Sequence, residues 1–439
     1  MNNPHSPVPE EDVVLLIKNP HRAGSLGRLL STIGSEGALI SDIVTQFVGR
    51  DSSIREITVS VHNPRHLQQI ENAIRDNTEA EILEIKDLVF ERHEGGKIRS
   101  GRTHELERLD DLRYIYTPGV ARVCRAIEED PDLARRYTST GNSVGIFTNG
   151  TRVLGLGDIG ALASMPVMEG KAVLYDRFVG LSATPILVDT KDPEDFVKTV
   201  ETIAPTFGGI HLEDIRIPDC YYIEDELNRR LSKPVMHDDQ HGTATVTLAA
   251  VMSALRETGR DGDDSLVCAQ IGLGAAGFGI ARLLMDHGYQ VVGVDPSPES
   301  QRRFEGHGGT NVKLEDAMLT GDVVIATTGV VGLIKPEMVR QGQIIFALSN
   351  PVPEIAPEEA LAAGAAFAAD GKSVNNALAF PGLFKAALAM QSQEITSDMK
   401  IAAAAAISRH ADRGEIVPSV FHPDVHDSVV QAVTSLFET

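Results

Sequence analysis

The chain has 439 residues, 42% of them hydrophobic, and a formal net charge of −22; that length allows two or three domains. The charge argues against a nucleic-acid partner, which needs a basic surface, and against docking on an anionic membrane. No run approaches the roughly 18 apolar residues of a membrane span. Cys124, Cys220 and Cys268 are scattered without C-x-x-C spacing, which argues against a disulfide framework or a zinc site and for buried, reduced thiols. The start, MNNPHSPVPEED, has neither the basic residues nor the apolar stretch of a signal peptide, so a cytoplasmic protein is expected.

The first 90 residues form a self-contained pattern. DVVLLIK (12–18) reads as a strand, NPHRAGS as a loop and LGRLLSTIGSEG as an amphipathic helix. LISDIVTQF and IREITVSV alternate as strands do, PRHLQQIENAIRD opens on a proline with helical spacing of Leu67, Ile70 and Ile74, and EILEIKDLVF (81–90) closes as a strand. The order βαββαβ is the ferredoxin-like arrangement. With the HRAGSLGRLL turn, it resembles an ACT domain, a regulatory module whose members often hold an amino acid at that turn. The resemblance implies an amino-acid effector; a module used only for dimerisation stays open beside it. ERHEGGKIRSGRTHELER (91–108) reads as a linker. Beyond residue 110 short apolar strands alternate with helices, an α/β pattern, and IAAAAAISRHA (401–411) reads as a surface or packing helix.

Two acidic pairs, Glu213-Asp214 and Asp238-Asp239, each follow a short apolar strand. Open α/β sheets build their sites at the carboxyl ends of strands, so both pairs are expected in one cleft. Carboxylates crowded in this way hold a cation or stay partly protonated, and oxygen ligation suits Mg²⁺ or Mn²⁺ rather than zinc. His237 and His241 flank the second pair without an H-E-x-x-H signature and are expected to act as structural or outer residues.

SLVCAQIGLGAAGFGIARLLMDHGYQVVGVD (265–295) runs from an apolar strand through Gly272-x-Gly274-x-x-Gly277 into a helix, and a second strand ends at Asp295. The first glycine permits a tight turn, the second close approach of a pyrophosphate, and the third close packing of helix on strand. Gly272, Gly274, Ala275, Ala276 and Gly277 are therefore expected to hold the phosphates at a helix N-terminus. Asp295 is expected on the adenosine ribose, favouring NAD over NADP. Arg302 and Arg303 lie nearby and read as exposed helix arginines. The strands DVVIATTG (322–329) and QIIFALSNP (343–351) follow.

YTPGVA (116–121), GTRVLGLGDIG (150–160), PVMEGK (166–171), PTFGGIHLED (205–214), HDDQHGTA (237–244), GLGAAG (272–277), FALSNP (346–351) and NNALAFPG (375–382) together resemble the malic enzymes, of the compact bacterial form. The resemblance implies a Rossmann-type NAD-binding domain (241–439) and an α/β substrate and metal domain (93–240), preceded by the ferredoxin-like ACT module (1–92). It implies metal-dependent oxidative decarboxylation of malate to pyruvate and CO₂, with reduction of NAD, in a homodimer or larger homo-oligomer. Glu213, Asp214 and Asp239 would hold the metal. Lys171 would be the general base, with a pKa lowered towards working pH, and Asp238 would orient it. Tyr116 would be the general acid and Arg152 would clamp a substrate carboxylate. Asn350 and Asn376 would contact substrate or nicotinamide. Oxaloacetate decarboxylation or a malolactic-type reaction at the same site stays open, as does a non-catalytic amino-acid sensor.

Overall fold

A computed structural model describes residues 11–153, 155–263 and 265–437. Residues 1–10 of the N-terminal reading and Leu154 of the 150–160 motif lie outside the described residues. The chain divides into two compact units, Met1–Arg99 and Ser100–Thr439.

In the first unit, strands β1 (Glu11–Pro20), β2 (Leu39–Val48), β3 (Ser52–Val61) and β4 (Glu81–Asp87) pair in the antiparallel order β2-β3-β1-β4, with helices Ser25–Ser35 and Pro64–Asn77 between them. This is the expected ferredoxin-like order. Alternation puts Val13, Leu15 and Ile17 of β1 and Ile57, Val59 and Val61 of β3 into one core with Leu29, Ile33, Ile70 and Ile74 of the helices. The expected strand over 81–90 stops at Asp87. There the Asp87 carboxylate accepts the Val89 and Phe90 N–H groups and starts the helix Leu88–His93, so a side-chain cap overrides the strand pattern. That helix enters the segment read as a linker.

The second unit contains two parallel sheets. The first has the order β6-β5-β7-β8, from β5 (Ser143–Thr148), β6 (Ser182–Leu187), β7 (Gly209–Leu212) and β8 (Val235–His237). The second has six strands: β9 (Val267–Ile271), β10 (Gln290–Val294), β11 (Thr310–Asn311), β12 (Val323–Ala326), β13 (Ile344–Ala347) and β14 (Phe367–Asp370). Their order, β11-β10-β9-β12-β13-β14, is the doubly wound 3-2-1-4-5-6 sequence whose cofactor crevice lies between β9 and β12. The 20-residue helix Asp238–Glu257 leaves β8 and continues past residue 240, so the expected 240/241 boundary falls inside it. Its Val246, Leu248 and Val251 share one core with Val144 and Ile146 of the first sheet and with Ile325 and Phe346 of the second. The alanine-rich segment forms the helix Ser397–Arg409, which buries Ala403, Ala404 and Ile407 in the same core. Cys220 and Cys268 are buried, but Cys124 is exposed, because the helix that carries it, Val120–Glu129, buries no residue. Among the described residues no helix is long and apolar enough to cross a membrane.

The glycine motif follows β9. Gly272 has φ +90°, a conformation that favours glycine. A Cβ on Gly277 would stand 1.9 Å from the Gly272 carbonyl oxygen and 2.6 Å from Thr327 Oγ1, whereas one on Gly274 would meet nothing closer than Ile217 Cδ1 at 3.6 Å. Strand and helix are thus clamped at Gly277 and open at Gly274. Gly277→Ala is expected to destabilise the fold by about 1–3 kcal/mol through overpacking and to weaken NADH binding; NADH fluorescence titration and thermal melts check both.

Candidate active site

The β7–β8 register pairs Leu212 with His237, so the two acidic pairs leave adjacent parallel strands side by side. Glu213 and Asp214 are 4% exposed and Asp238 is fully buried, while Asp239 is half-buried. Asp214 bends away from strand geometry at φ 54°, and its N–H donates to Asp239 Oδ2 at 3.0 Å. One carboxylate oxygen from each of Glu213, Asp214 and Asp239 lies within 4.8 Å of the others. Asp214 Oδ2 is buried without a hydrogen-bond partner. Three hard oxygen donors, one of them unsatisfied, fit a divalent cation of the Mg²⁺ or Mn²⁺ type.

Lys171 reaches this cluster from the helix Ala161–Val179. Its Nζ lies 3.0 Å from Glu213 Oε1, is paired with Asp238 Oδ2, and sits 4.7 Å from the Phe380 ring centroid. Asn376 Nδ2 donates to the same Asp238 oxygen at 3.2 Å, and Thr243 Oγ1 donates to Asn376 at 3.3 Å. Asn376 therefore acts on Asp238. Burial pushes the lysine pKa down, but the Asp238 and Glu213 carboxylates outweigh it and hold the ammonium above its ordinary value. This reverses the expected lowering: two anions touch a lysine that was expected to be tuned mainly by desolvation. Gly242, one helical turn after Asp238, is required by this arrangement, since a Cβ there would fall 1.8 Å from Asp238 Oδ1.

The structure places the other expected residues less uniformly. The backbone N–H of Arg152 donates to Asp214 O at 3.1 Å, and its exposed side chain is close enough to Cys220 and Tyr221 to perturb both. Asn350 is exposed after β13. Tyr116 is the C-cap of helix Leu109–Ile115 and is 68% exposed. On the cofactor side, helix Ala275–His287 opens at Ala275 and Ala276, with Gly274 as its N-cap. Asp295 accepts the N–H groups of Leu273 (2.7 Å) and Ser297 (2.8 Å). Arg303 lies 3.7 Å over the Tyr221 ring, which leaves it less exposed than its helix position suggests.

A model of the malic enzyme N-terminal domain family matches residues 96–194. NAD-dependent malic enzyme 1 of Bacillus subtilis is 51% identical over 422 residues, which span 95% of this chain and 96% of that one. The chain belongs to the malic enzyme family. The NAD-dependent malic enzyme of Geobacillus stearothermophilus is 40% identical across 93% of this chain and 91% of its own. Crystal structures of malic enzymes from Pyrococcus horikoshii and Thermotoga maritima each match with a TM-score of 0.73, at 40% and 38% identity. They cover 78% and 80% of this chain and 86% and 99% of their own.

Within this malic enzyme fold, several side chains near the cluster were not singled out from sequence. His211 Nε2 lies 2.6 Å from Glu213 Oε2. Glu224, also buried, accepts the His237 N–H at 2.7 Å, Gln240 Nε2 at 3.1 Å and His241 Nε2 at 3.1 Å, while Lys400 Nζ meets His241 Nδ1 at 3.1 Å. His237 Nε2 lies 3.2 Å from Asp239 Oδ2. His237 thus meets Asp239, and His241 meets Glu224 and Lys400; among the described residues neither histidine belongs to a group that could hold a metal ion. Beyond β12 and β13, the buried Glu354 accepts Thr328 N–H at 2.6 Å, Thr328 Oγ1 at 2.8 Å and Ser349 Oγ at 2.5 Å, joining two loops of the cofactor crevice.

Burial, and then the Glu213 and Asp239 charges, push the Asp214 carboxyl up to about 8 from an ordinary 3.8. The folded state then holds this proton more tightly than the unfolded chain, so metal-free stability should fall as pH rises from about 4 through about 8 and level off above. Asp214→Asn should flatten that slope. Thermal melts in chelator from pH 5 to 9 measure it; an Asp214→Asn variant that keeps the wild-type slope would contradict the assignment.

Proposed function

We propose that this chain is an NAD- and divalent-metal-dependent malic enzyme that converts malate to pyruvate and CO₂. The observation that carries this reading is Lys171 held between Glu213 and Asp238, beside the Glu213–Asp214–Asp239 triad, in a chain 51% identical to an NAD-dependent malic enzyme. Glu213, Asp214 and Asp239 would hold the cation, which would supply Lewis acidity, and the glycine turn after β9 would hold NAD, which would supply hydride-accepting chemistry. Lys171 takes the proton of the C2 hydroxyl, with Asp238 and Asn376 fixing its direction. Arg152 pairs with a substrate carboxylate. Tyr116 gives a proton to the carbon that has lost CO₂. Asn350 meets substrate or nicotinamide. Gly272, Gly274, Ala275, Ala276 and Gly277 face the pyrophosphate, and Asp295 faces the ribose; its carboxylate would repel a 2′-phosphate. The working division is 1–92 for regulation, 93–240 for substrate and metal, and 241–439 for NAD, in a cytoplasmic enzyme.

An amino-acid effector at the first unit is supported by a cavity of about 310 Å³ lined by Asn19, His21, Arg22, Leu26 and Arg55. Asn19 is buried, with its amide nitrogen unpartnered, and the arginines suit a carboxylate. The assay that tests the whole reading follows reduced cofactor and pyruvate from malate, with NAD⁺ or NADP⁺, Mn²⁺ or chelator, and then single amino acids. Equal yields of NADH and pyruvate, their loss in chelator, and an amino-acid response abolished by Arg22→Ala are expected. A strong NADP⁺ preference, pyruvate without NADH, or full activity in chelator would each overturn a named part.

A homodimer is supported by helices Leu109–Ile115, Val120–Glu129 and Leu133–Tyr137, which bury no residue and expose Leu109, Tyr114 and Tyr116. Light scattering should give twice the 47.2 kDa chain mass, and Tyr114→Asp should shift it towards the single chain; a wild-type monomer would exclude this arrangement.

A further inference from the structure

Glu213 is addressed from behind by two side chains that no step above uses. His211 and Tyr175 are both fully buried. Tyr175 lies four residues after Lys171 on one helix, and so on the same face. His211 lies in β7 two residues before Glu213, whose N–H continues the pairing to the Phe147 carbonyl just past the strand end, and so on the same side. The two periodicities meet: Tyr175 OH is 2.9 Å from His211 Nδ1, and His211 Nε2 is 2.6 Å from Glu213 Oε2.

The direction of these bonds follows from donor chemistry. An ionised carboxylate only accepts, so His211 carries its hydrogen on Nε2 and donates it to Glu213. In the neutral ring Nδ1 must then accept, and the Tyr175 hydroxyl donates. Burial, together with the Asp238 and Glu213 charges, holds the Tyr175 pKa well above its ordinary value, which keeps that donor protonated. Phe380 and Phe384 wall the pair: Phe380 packs edge-on to both rings, at 4.9 Å from Tyr175 and 5.3 Å from His211, and Phe384 stacks on His211 at 5.8 Å. The imidazole is held both in orientation and in tautomer.

His211, Glu213 and Asp238 could themselves be taken as a metal triad. The Lys171 ammonium argues against it, because it pairs with both Glu213 and Asp238 and a cation there would meet its charge directly. Glu213 instead accepts from His211 at Oε2 and forms an ion pair with Lys171 through Oε1, which leaves a lone pair free on each oxygen.

We propose that His211, oriented by Tyr175, is a positioning residue that aims the Glu213 carboxylate at a divalent cation shared with Asp214 and Asp239. The inference rests on the metal-site reading given above and adds to it the residues that make Glu213 a directed ligand. Partners behind a metal ligand commonly change metal affinity by about 10–100-fold when removed.

The test measures Mn²⁺ binding to the full chain without substrate, by electron paramagnetic resonance of free Mn²⁺, with NADH binding as a check on the separate dinucleotide site. His211→Phe is expected to raise the Mn²⁺ Kd by about 10–100-fold with NADH binding unchanged. Tyr175→Phe should raise it by a smaller factor, and Asp239→Asn should remove tight Mn²⁺ binding. Wild-type Mn²⁺ affinity in His211→Phe, with binding lost in Asp239→Asn, would overturn the proposal and leave the metal site standing. Wild-type affinity in Asp239→Asn would overturn the metal-site reading itself. Should His211→Phe lose NADH binding through misfolding, Tyr175→Phe decides: unchanged Mn²⁺ affinity there overturns the proposal.

Discussion

Crowding of negative charge at the ends of two neighbouring strands is the constraint around which the rest of the site is built. Parallel strands run about 4.8 Å apart, and β7 and β8 each end in a pair of acids. The four carboxylates of Glu213, Asp214, Asp238 and Asp239 are thereby forced together where solvent scarcely reaches. Such a group persists only if each charge is matched, hydrogen-bonded or neutralised. The structure shows all three responses. Lys171 matches Glu213 and Asp238; His211, Asn376 and the Asp214 N–H supply hydrogen bonds to Glu213, Asp238 and Asp239; and Asp214, with one oxygen unpartnered, is driven towards its protonated form. The residue with no matching charge is the one that most needs a cation.

How much of this could be read in the sequence depended on whether the relevant neighbours were local. The βαββαβ order, the glycine motif and the acidic pairs at strand ends are patterns of period and spacing, and they appear in the fold where they were expected. Adjacent acids on a strand would point to opposite faces, but Asp238 and Asp239 open a helix, and the turn sends one to Lys171 and the other towards Asp214 and His237. The missed residues are those whose partners are distant in the chain. Glu224 serves His237 and His241, and Glu354 serves Thr328, across loops or helices whose approach no local pattern reports. His211 and Tyr175 were missed as well: they stand two and four residues from Glu213 and Lys171, but only the fold brings the strand against the helix. Asp87 shows the opposite case, in which a single capping side chain ends a strand that the apolar pattern would have prolonged.

The dinucleotide half is held with similar economy. Gln270 donates from Nε2 to the Gly272 carbonyl at 3.0 Å and to Thr327 Oγ1 at 3.0 Å, tying the glycine turn to the end of β12. Glu354 then ties the end of β12 to that of β13. These two buried side chains link the successive loops that border the crevice, so its shape is fixed by polar contacts beneath the surface. In the proposed reading, cofactor contacts would then fall to backbone N–H groups and to Asp295. The helix Asp238–Glu257 couples the halves, since its first residues belong to the acidic cluster and its later turns pack in the core shared by both sheets.

Lys171 is where stability and chemistry pull against each other. Burial alone would lower its pKa, as a general base requires, but the same burial strengthens its attraction to Asp238 and Glu213, and attraction wins in the metal-free protein. To act as the proposed general base, the lysine would need its neighbours to give up part of their negative field. Glu213 is the one carboxylate shared between the lysine and the oxygen triad. A dipositive charge beside Glu213, Asp214 and Asp239 would weaken the hold of Glu213 on the ammonium, while Asn376 keeps Asp238 in place to orient it. His211 draws on the same carboxylate from its far side and fixes which lone pairs remain for the triad. In the proposed reading, metal affinity and the proton affinity of Lys171 would both depend on one shared side chain, Glu213, which has partners on both oxygens, whereas Asp214 Oδ2 has none.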